Sequence, residues 1–175
     1  KRKGASFIAT KTETILKYNK PDSHFTDVLE DREGGLIVVD TGGWFRIGCP
    51  NSQIAKPEIS GGLYRIRSKN STAEKPRAMP DWPRFTSEDA SGFLDAPEFW
   101  IRDRAITELA VRGDPALPEL KRILQSPDSS VMARRNAIWT LTRMKFSEAT
   151  DLLYAALTDP SPSVRQTACN GIQVT

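Results

Sequence analysis

The feature that most limits how this chain can fold is an internal repeat. Arg102-Asp103-Arg104-Ala105-Ile106, Arg134-Arg135-Asn136-Ala137-Ile138 and Arg165-Gln166-Thr167-Ala168-Cys169 align, with arginines and alanines stepping together by 32 and then 31 residues. Leu109, Leu141 and Ile172 keep the same register, and proline turns introduce the units: Ala96-Pro97, Ser126-Pro127-Asp128 and Asp159-Pro160-Ser161-Pro162. A repeat of this length is one helical hairpin. Such a hairpin cannot bury its apolar stripe alone, so neighbouring hairpins must stack. Residues 93–175 therefore read as an α-solenoid.

The local signals agree. Thr86-x-x-Asp89 is a capping-box start for a short helix to about Leu94, and Asp95 is placed to cap the next, with Pro97 in its first turn. Ile101, Ala105, Ile106 and Leu109 make one apolar stripe that Gly113 ends. Asp114-Pro115 opens a helix carrying Leu117, Leu120, Ile123 and Leu124. Val131–Met144 and Ser147–Thr158 repeat that pair, and Ser161-Pro162 starts a last helix. The shared alanine lets first helices approach closely. The shared arginine, one turn inside its helix, is placed to reach acidic or carbonyl groups of the inter-helix turn. The stretch Asp159-Pro160-Ser161-Pro162-Ser163-Val164-Arg165 resembles the HEAT repeat, whose usual unit is longer, about 40 residues.

Residues 1–67 have a different period and read as β. Gly4 breaks the start. Ser6–Thr12 loosely alternates, and Thr14–Tyr18 is a second short candidate strand. Phe25–Glu30 and Leu36–Asp40 flank the turn Asp31-Arg32-Glu33-Gly34-Gly35, the pattern of a hairpin. The β-branched Ile37, Val38 and Val39 suit a strand buried on both faces. Thr41-Gly42-Gly43 lets the chain turn through positive φ, and Leu63–Arg67, opened by Gly61-Gly62, is a further strand. Trp44–Ser60 is a long insertion whose Trp44 and Phe45 either cover the sheet or serve a functional loop. Residues 68–92, with Pro76, Pro80 and Pro83, read as a Pro-rich linker that Trp82 anchors to a neighbour.

Charge excludes some roles and cysteine others. Of 25 basic and 22 acidic residues, 10 of each lie in residues 93–175. That balance, with only doublets such as Lys121-Arg122 and Arg134-Arg135, argues against nucleic acid as the solenoid's partner. Cys49 and Cys169 form no CxxC or CxxCH, and His24 is the sole histidine, so no metal centre and no haem attachment is built by this chain. No apolar run approaches the ~20 residues of a membrane span. The chain begins at Lys1 and stops at Thr175 inside a helical pattern, so both ends read as truncated.

His24 through Asp40 and on to Gly43 resembles one β-propeller blade: an inner strand, an acidic-Gly turn, a second strand ending in Asp, and a third at Leu63–Arg67. With Trp44-Phe45-Arg46-Ile47-Gly48-Cys49-Pro50-Asn51-Ser52-Gln53-Ile54-Ala55-Lys56-Pro57-Glu58 and Gly62-Leu63-Tyr64-Arg65-Ile66-Arg67, it is similar to the last blade of the PVC-type haem-binding, membrane-bound-dehydrogenase-like proteins of planctomycetes and their relatives. HEAT repeats after the propeller fit that family's order. The resemblance implies a sorbosone/glucose-dehydrogenase-like propeller, a downstream domain with c-type haem, a quinone as further cofactor, and a periplasmic or extracytoplasmic location. The chain departs from the pattern in holding a single blade, no CxxCH, and Gly48 where relatives carry a second cysteine beside Cys49.

The expected fold is thus α+β as a fragment: antiparallel β-propeller blade (1–67, insertion 44–60), linker (68–92), HEAT-like α-solenoid (93–175). The leading functional reading is a scaffold or protein-interaction surface for a protein partner or for the rest of the same polypeptide, with no complete catalytic site and no cofactor in this chain. The alternative is that the blade completes a dehydrogenase pocket, with His24 as general base and Asp27 facing the substrate in the channel. Against it, His24 also reads as a strand-start residue bonding a turn, and Asp40 as an acceptor of backbone N–H groups at a strand end.

Overall fold

The computed structural model describes residues 1–19, 23–43, 59–67, 69, 78–144 and 146–175. The chain divides into two compact units, one of Lys1–Lys11 with Met79–Thr175, the other of Thr12–Ala78.

In the first unit, β1 (Arg2–Lys3) and β2 (Ser6–Phe7) form a small antiparallel hairpin. Gly4, at φ 60°, turns it and does not simply interrupt a strand. The alternation expected over Ser6–Thr12 becomes strand only at Ser6–Phe7, and Thr14–Tyr18 forms no strand.

The helices follow as α1 (Ser87–Ser91), α2 (Phe99–Arg112), α3 (Leu117–Gln125), α4 (Val131–Leu141), α5 (Ser147–Ala155) and α6 (Pro162–Val174). Short 3-10 segments precede or extend them at Trp82–Arg84, Gly92–Asp95, Asp114–Ala116 and Ala156–Thr158. The capping box is formed: the Asp89 amide donates to Thr86 Oγ1 at 3.1 Å, and Asp89 Oδ2 accepts from the Thr86 amide at 2.9 Å. These Thr86 bonds hold the Asp89 carboxyl below its usual range. Asp95 does not cap α2, whose cap position is Glu98 with no side-chain bond. Asp95 instead accepts from Ser130 Oγ at 2.7 Å, while that same Ser130 oxygen accepts from the Ala133 amide at 2.9 Å and caps α4.

Two layers result. α2 packs on α4 and α4 on α6, while α3 lies against α4 and α5 against α4 and α6. Ala105, Ala137 and Ala168, one in each helix of the closely packed layer, are fully buried, because a larger side chain there would hold the helices apart. Gly171 does the same within α6. A Cβ there would come 2.7 Å from Thr142 Cγ2, on a side chain tied by its hydroxyl to the Trp139 carbonyl. The core runs from Trp82 through Leu94, Ile101, Leu109, Leu120 and Ile138 to Val164. Trp82 and Ala90, within the stretch whose composition reads as linker, are part of that core, and Trp82 packs edge-on against Phe85 and Phe93.

The second unit is built on a three-stranded antiparallel sheet in the order β3 (Phe25–Glu30), β4 (Leu36–Asp40), β5 (Gly62–Ile66). The turn closes as Gly34 N–H donates to the Asp31 carbonyl at 2.9 Å. Asp31, buried, meets Arg65 at 3.0 Å from β5. β4 is not buried on both faces: Val38 and Asp40, on one face, are buried, and Ile37 and Val39, on the other, are half-buried. Every residue of β3 is exposed. The insertion 44–60 falls outside the described residues except for Ile59 and Ser60, as do Cys49 and most of 68–77.

Candidate functional site

Two places gather polar or chemically useful groups. The first is the end of the sheet where β3 begins and β4 stops. Asp40, buried, accepts Ser23 Oγ at 2.6 Å, the His24 amide at 2.9 Å and the Gly42 amide at 2.9 Å. The Ser23 hydroxyl above all, then the Gly42 amide, hold the Asp40 carboxyl below its ordinary 3.8. Gly42, at φ +65°, lets the chain turn back so closely that a Cβ would strike the backbone at Ile59 and Gly61. Gly43 N–H then donates to the Ile59 carbonyl at 3.0 Å, joining the two ends of the insertion.

His24 belongs to this knot. Its Nδ1 lies 2.7 Å from the Gly42 carbonyl, so Nδ1 carries the proton and donates. Asp27 is exposed on β3, and its Oδ1 accepts the amide of its neighbour Val28 at 2.8 Å. The bonds described give the two residues separate partners: His24 is tied to a turn and Asp27 to its own strand. Asp27 also borders an open apolar cleft of about 390 Å³ on the sheet, walled by Ile15, Leu16, Phe25, Val28 and Val38. Among the described residues no cluster of His, Cys, Asp and Glu is suited to hold a metal ion. The sequence holds no CxxCH for covalent attachment of a haem.

The Asp40 geometry predicts a pH response. A carboxyl whose folded pKa is depressed contributes stability that is complete above its unfolded pKa and is lost as pH falls through the folded value. Amide exchange of the β4 end is therefore expected to stay slow from neutral pH down to the ordinary aspartate range and to accelerate below it. Asp40→Asn removes the anionic acceptor and should abolish that acid step. Hydrogen exchange followed by NMR across an acid titration checks both.

The second place is the helical unit, where the repeated arginine behaves as its spacing predicts. Arg102 Nη1 donates to the Ala96 and Pro97 carbonyls at 2.6 and 2.7 Å, and Arg165 Nη1 to the Asp159 and Pro160 carbonyls at 2.7 and 3.0 Å. Arg134 donates to the Ser129 carbonyl and, through Nε, to Asp159 at 2.8 Å. Each guanidinium thus clamps the turn that leads into its own helix. Asp159 adds a link between repeats: it meets Arg134 of one unit and receives the Ser161 amide at 2.7 Å in the next. Two further links escape sequence reading. Asn136 Nδ2 donates to the Leu94 carbonyl at 2.7 Å in the interior, and Ser130 bonds Asp95. The repeat register would have flagged Asn136, because Arg104 and Thr167 stand at its equivalent positions and a buried amide there breaks the pattern.

Residues 90–168 match the family model for HEAT repeats. That match and the helical content fit an α-solenoid, and repeats of this kind suggest a scaffold or interaction role. No curated protein and no solved structure matches the chain. In the HEAT-repeat unit Cys169 is a free, exposed thiol at the register position that Ile106 and Ile138 fill as buried side chains. No described helix is long and apolar enough to cross a membrane.

Proposed function

We propose that this chain is an interaction scaffold, in which the HEAT-repeat unit offers its helix surface to a protein partner or to another part of the same polypeptide, and in which no complete catalytic site is present. The observation that carries this is the division of labour in the repeat. The register alanines Ala105, Ala137 and Ala168 and the leucines Leu109 and Leu141 are buried, and the clamp arginines and cross-repeat bonds fix the turns, while surface positions differ from one unit to the next. A stiff frame with variable outward residues is what partner recognition needs. The test is affinity capture on the immobilised full chain, with substitutions of exposed residues on α2, α4 and α6 compared with substitutions on β3. Loss of the captured protein with the first set alone is expected. Loss with the second set alone overturns the assignment of binding to the helices.

A second reading is favoured by one specific observation. Nδ1 of His24 donates to the Gly42 carbonyl, which orients the imidazole as a general base needs to be oriented. In this reading the antiparallel sheet is the last blade of a propeller in a PVC-type, dehydrogenase-like protein outside the cytoplasm, oxidising a sugar or alcohol and passing electrons to a c-type haem elsewhere in the intact polypeptide. The meander β3-β4-β5 and the HEAT match downstream support that order of parts. His24→Ala in the intact polypeptide should then abolish turnover with an artificial electron acceptor, and unchanged turnover rejects the role.

A further inference from the structure

We infer that the solvent-facing side of α4 is a docking surface for an acidic peptide segment, with Arg135, Trp139 and Arg143 as its contact residues; this rests on the scaffold reading and names the partner's chemistry. The three residues are spaced by four, so they fall on one side of α4 and of the turn after it. The repeat register shows that the other two units do without them. Their equivalents are Asp103, Thr107 and Val111 in α2, and Gln166, Asn170 and Val174 in α6, and both helices hold their places in the same layer. The cation–aromatic–cation row is thus confined to the middle unit, where Arg135 also reaches Thr167 of α6 and Arg143 reaches Thr107 of α2.

The three groups are also poorly satisfied within the chain. Among the described residues Arg135 has a single bond, a long one of 3.4 Å to Thr167 Oγ1, and no carboxylate. Elsewhere Arg104, Arg122 and Arg134 each hold an acidic partner. Arg143 bonds Thr107 Oγ1 at 2.8 Å and touches Asp103 at 3.5 Å, a solvent-exposed pair that contributes little. Trp139 is half-buried, with its inner edge against the core, and its indole N–H donates to no described residue.

Geometry and charge select the ligand. From Arg135 in α4 to Arg143 in the turn just after it, eight residues at helical rise would span about 12 Å. Carboxylates four residues apart on an extended strand are about 13 Å apart, which leaves an apolar or proline residue between them over the indole. Guanidinium forks take carboxylates bidentately, more so where partly desolvated as at Arg135. Polyphosphate is a poorer fit, because the balanced charge of residues 93–175 supplies no basic stripe to track a backbone.

The experiment is fluorescence anisotropy with the full chain, using a labelled oligoglutamate peptide, its glutamine counterpart, a single-stranded oligonucleotide and phosphatidylserine vesicles. Oligoglutamate is expected to bind and the glutamine peptide not to. Arg135→Glu and Arg143→Glu should each weaken binding at least about tenfold, with helical circular dichroism unchanged, and Trp139→Phe should weaken it less. Absence of oligoglutamate binding, binding indifferent to both reversals, or tighter binding of oligonucleotide or vesicles through the same arginines would each overturn the inference. Capture of a protein partner equally by the wild type and the doubly reversed chain would leave the scaffold standing and remove this surface; loss of capture by every helix variant except these would do likewise.

Discussion

Leu141→Ala is expected to destabilise the HEAT-repeat unit by about 2–5 kcal/mol. Leu141 is fully buried at the end of α4, the helix that packs against both α2 and α6. Truncation removes the transfer energy of the lost methyl groups and leaves a cavity that neighbours on two sides, themselves held by clamped turns, cannot collapse to fill. Ile172 holds the same register in α6 but is only half-buried, so Ile172→Ala should cost less than half as much. Urea denaturation followed by far-UV circular dichroism measures both, and equal losses would mean that α4 is not the centre of the stack.

Asp159→Ala is expected to cost nearly as much, about 3 kcal/mol or more. The Arg134–Asp159 pair is 2.8 Å apart with side chains only 11% and 5% exposed. Removing the carboxylate leaves a guanidinium out of water with the Ser129 carbonyl as its remaining partner, and it also frees the Ser161 amide at the head of α6. The double change Arg134→Met with Asp159→Leu should recover much of the loss, because replacing both buried charges with apolar groups removes the desolvation penalty as well as the attraction. A double variant no more stable than Asp159→Ala would show that the ion pair itself, and not the stranded charge, sets the cost. In the binding assays proposed above, neither substitution should change the response of folded chain, since both residues face the interior.

Much of the helical unit is legible in the chain because its determinants are local and periodic. Gly113 stops α2 at φ +67°, Thr86 and Asp89 form their box, and Pro162 opens α6 in its first turn. Each of these depends on a few adjacent residues. The strands Phe25–Glu30 and Leu36–Asp40 are read for the same reason, a tight turn between two runs of matching length. The misreadings concern residues whose partner is distant. Asp95 has the composition of a helix cap, yet the competing donor Ser130 lies 35 residues away. Trp82, in the proline-bearing stretch around Pro80 and Pro83, anchors as expected, its indole buried against Phe85 and Phe93. Thr14–Tyr18, a candidate strand by composition, forms none, and its Tyr18 ring packs on Phe25 and Tyr64 instead.

The sites divide along the same line. Asp40 as a turn-holding carboxylate and the arginine clamp follow from residue type and spacing. The bond of Asp27 to the Val28 amide, the bridge at Asp159 and the row Arg135, Trp139 and Arg143 do not. What the order of residues settled alone is that helical hairpins of about 32 residues stack on one another and follow a short antiparallel sheet in the chain, because helix periodicity, caps and tight turns are written within a few neighbouring positions. Which acids meet which arginines, and which equivalent positions stay open to solvent, came only from packing one hairpin on the next, because those contacts join residues that no local pattern relates.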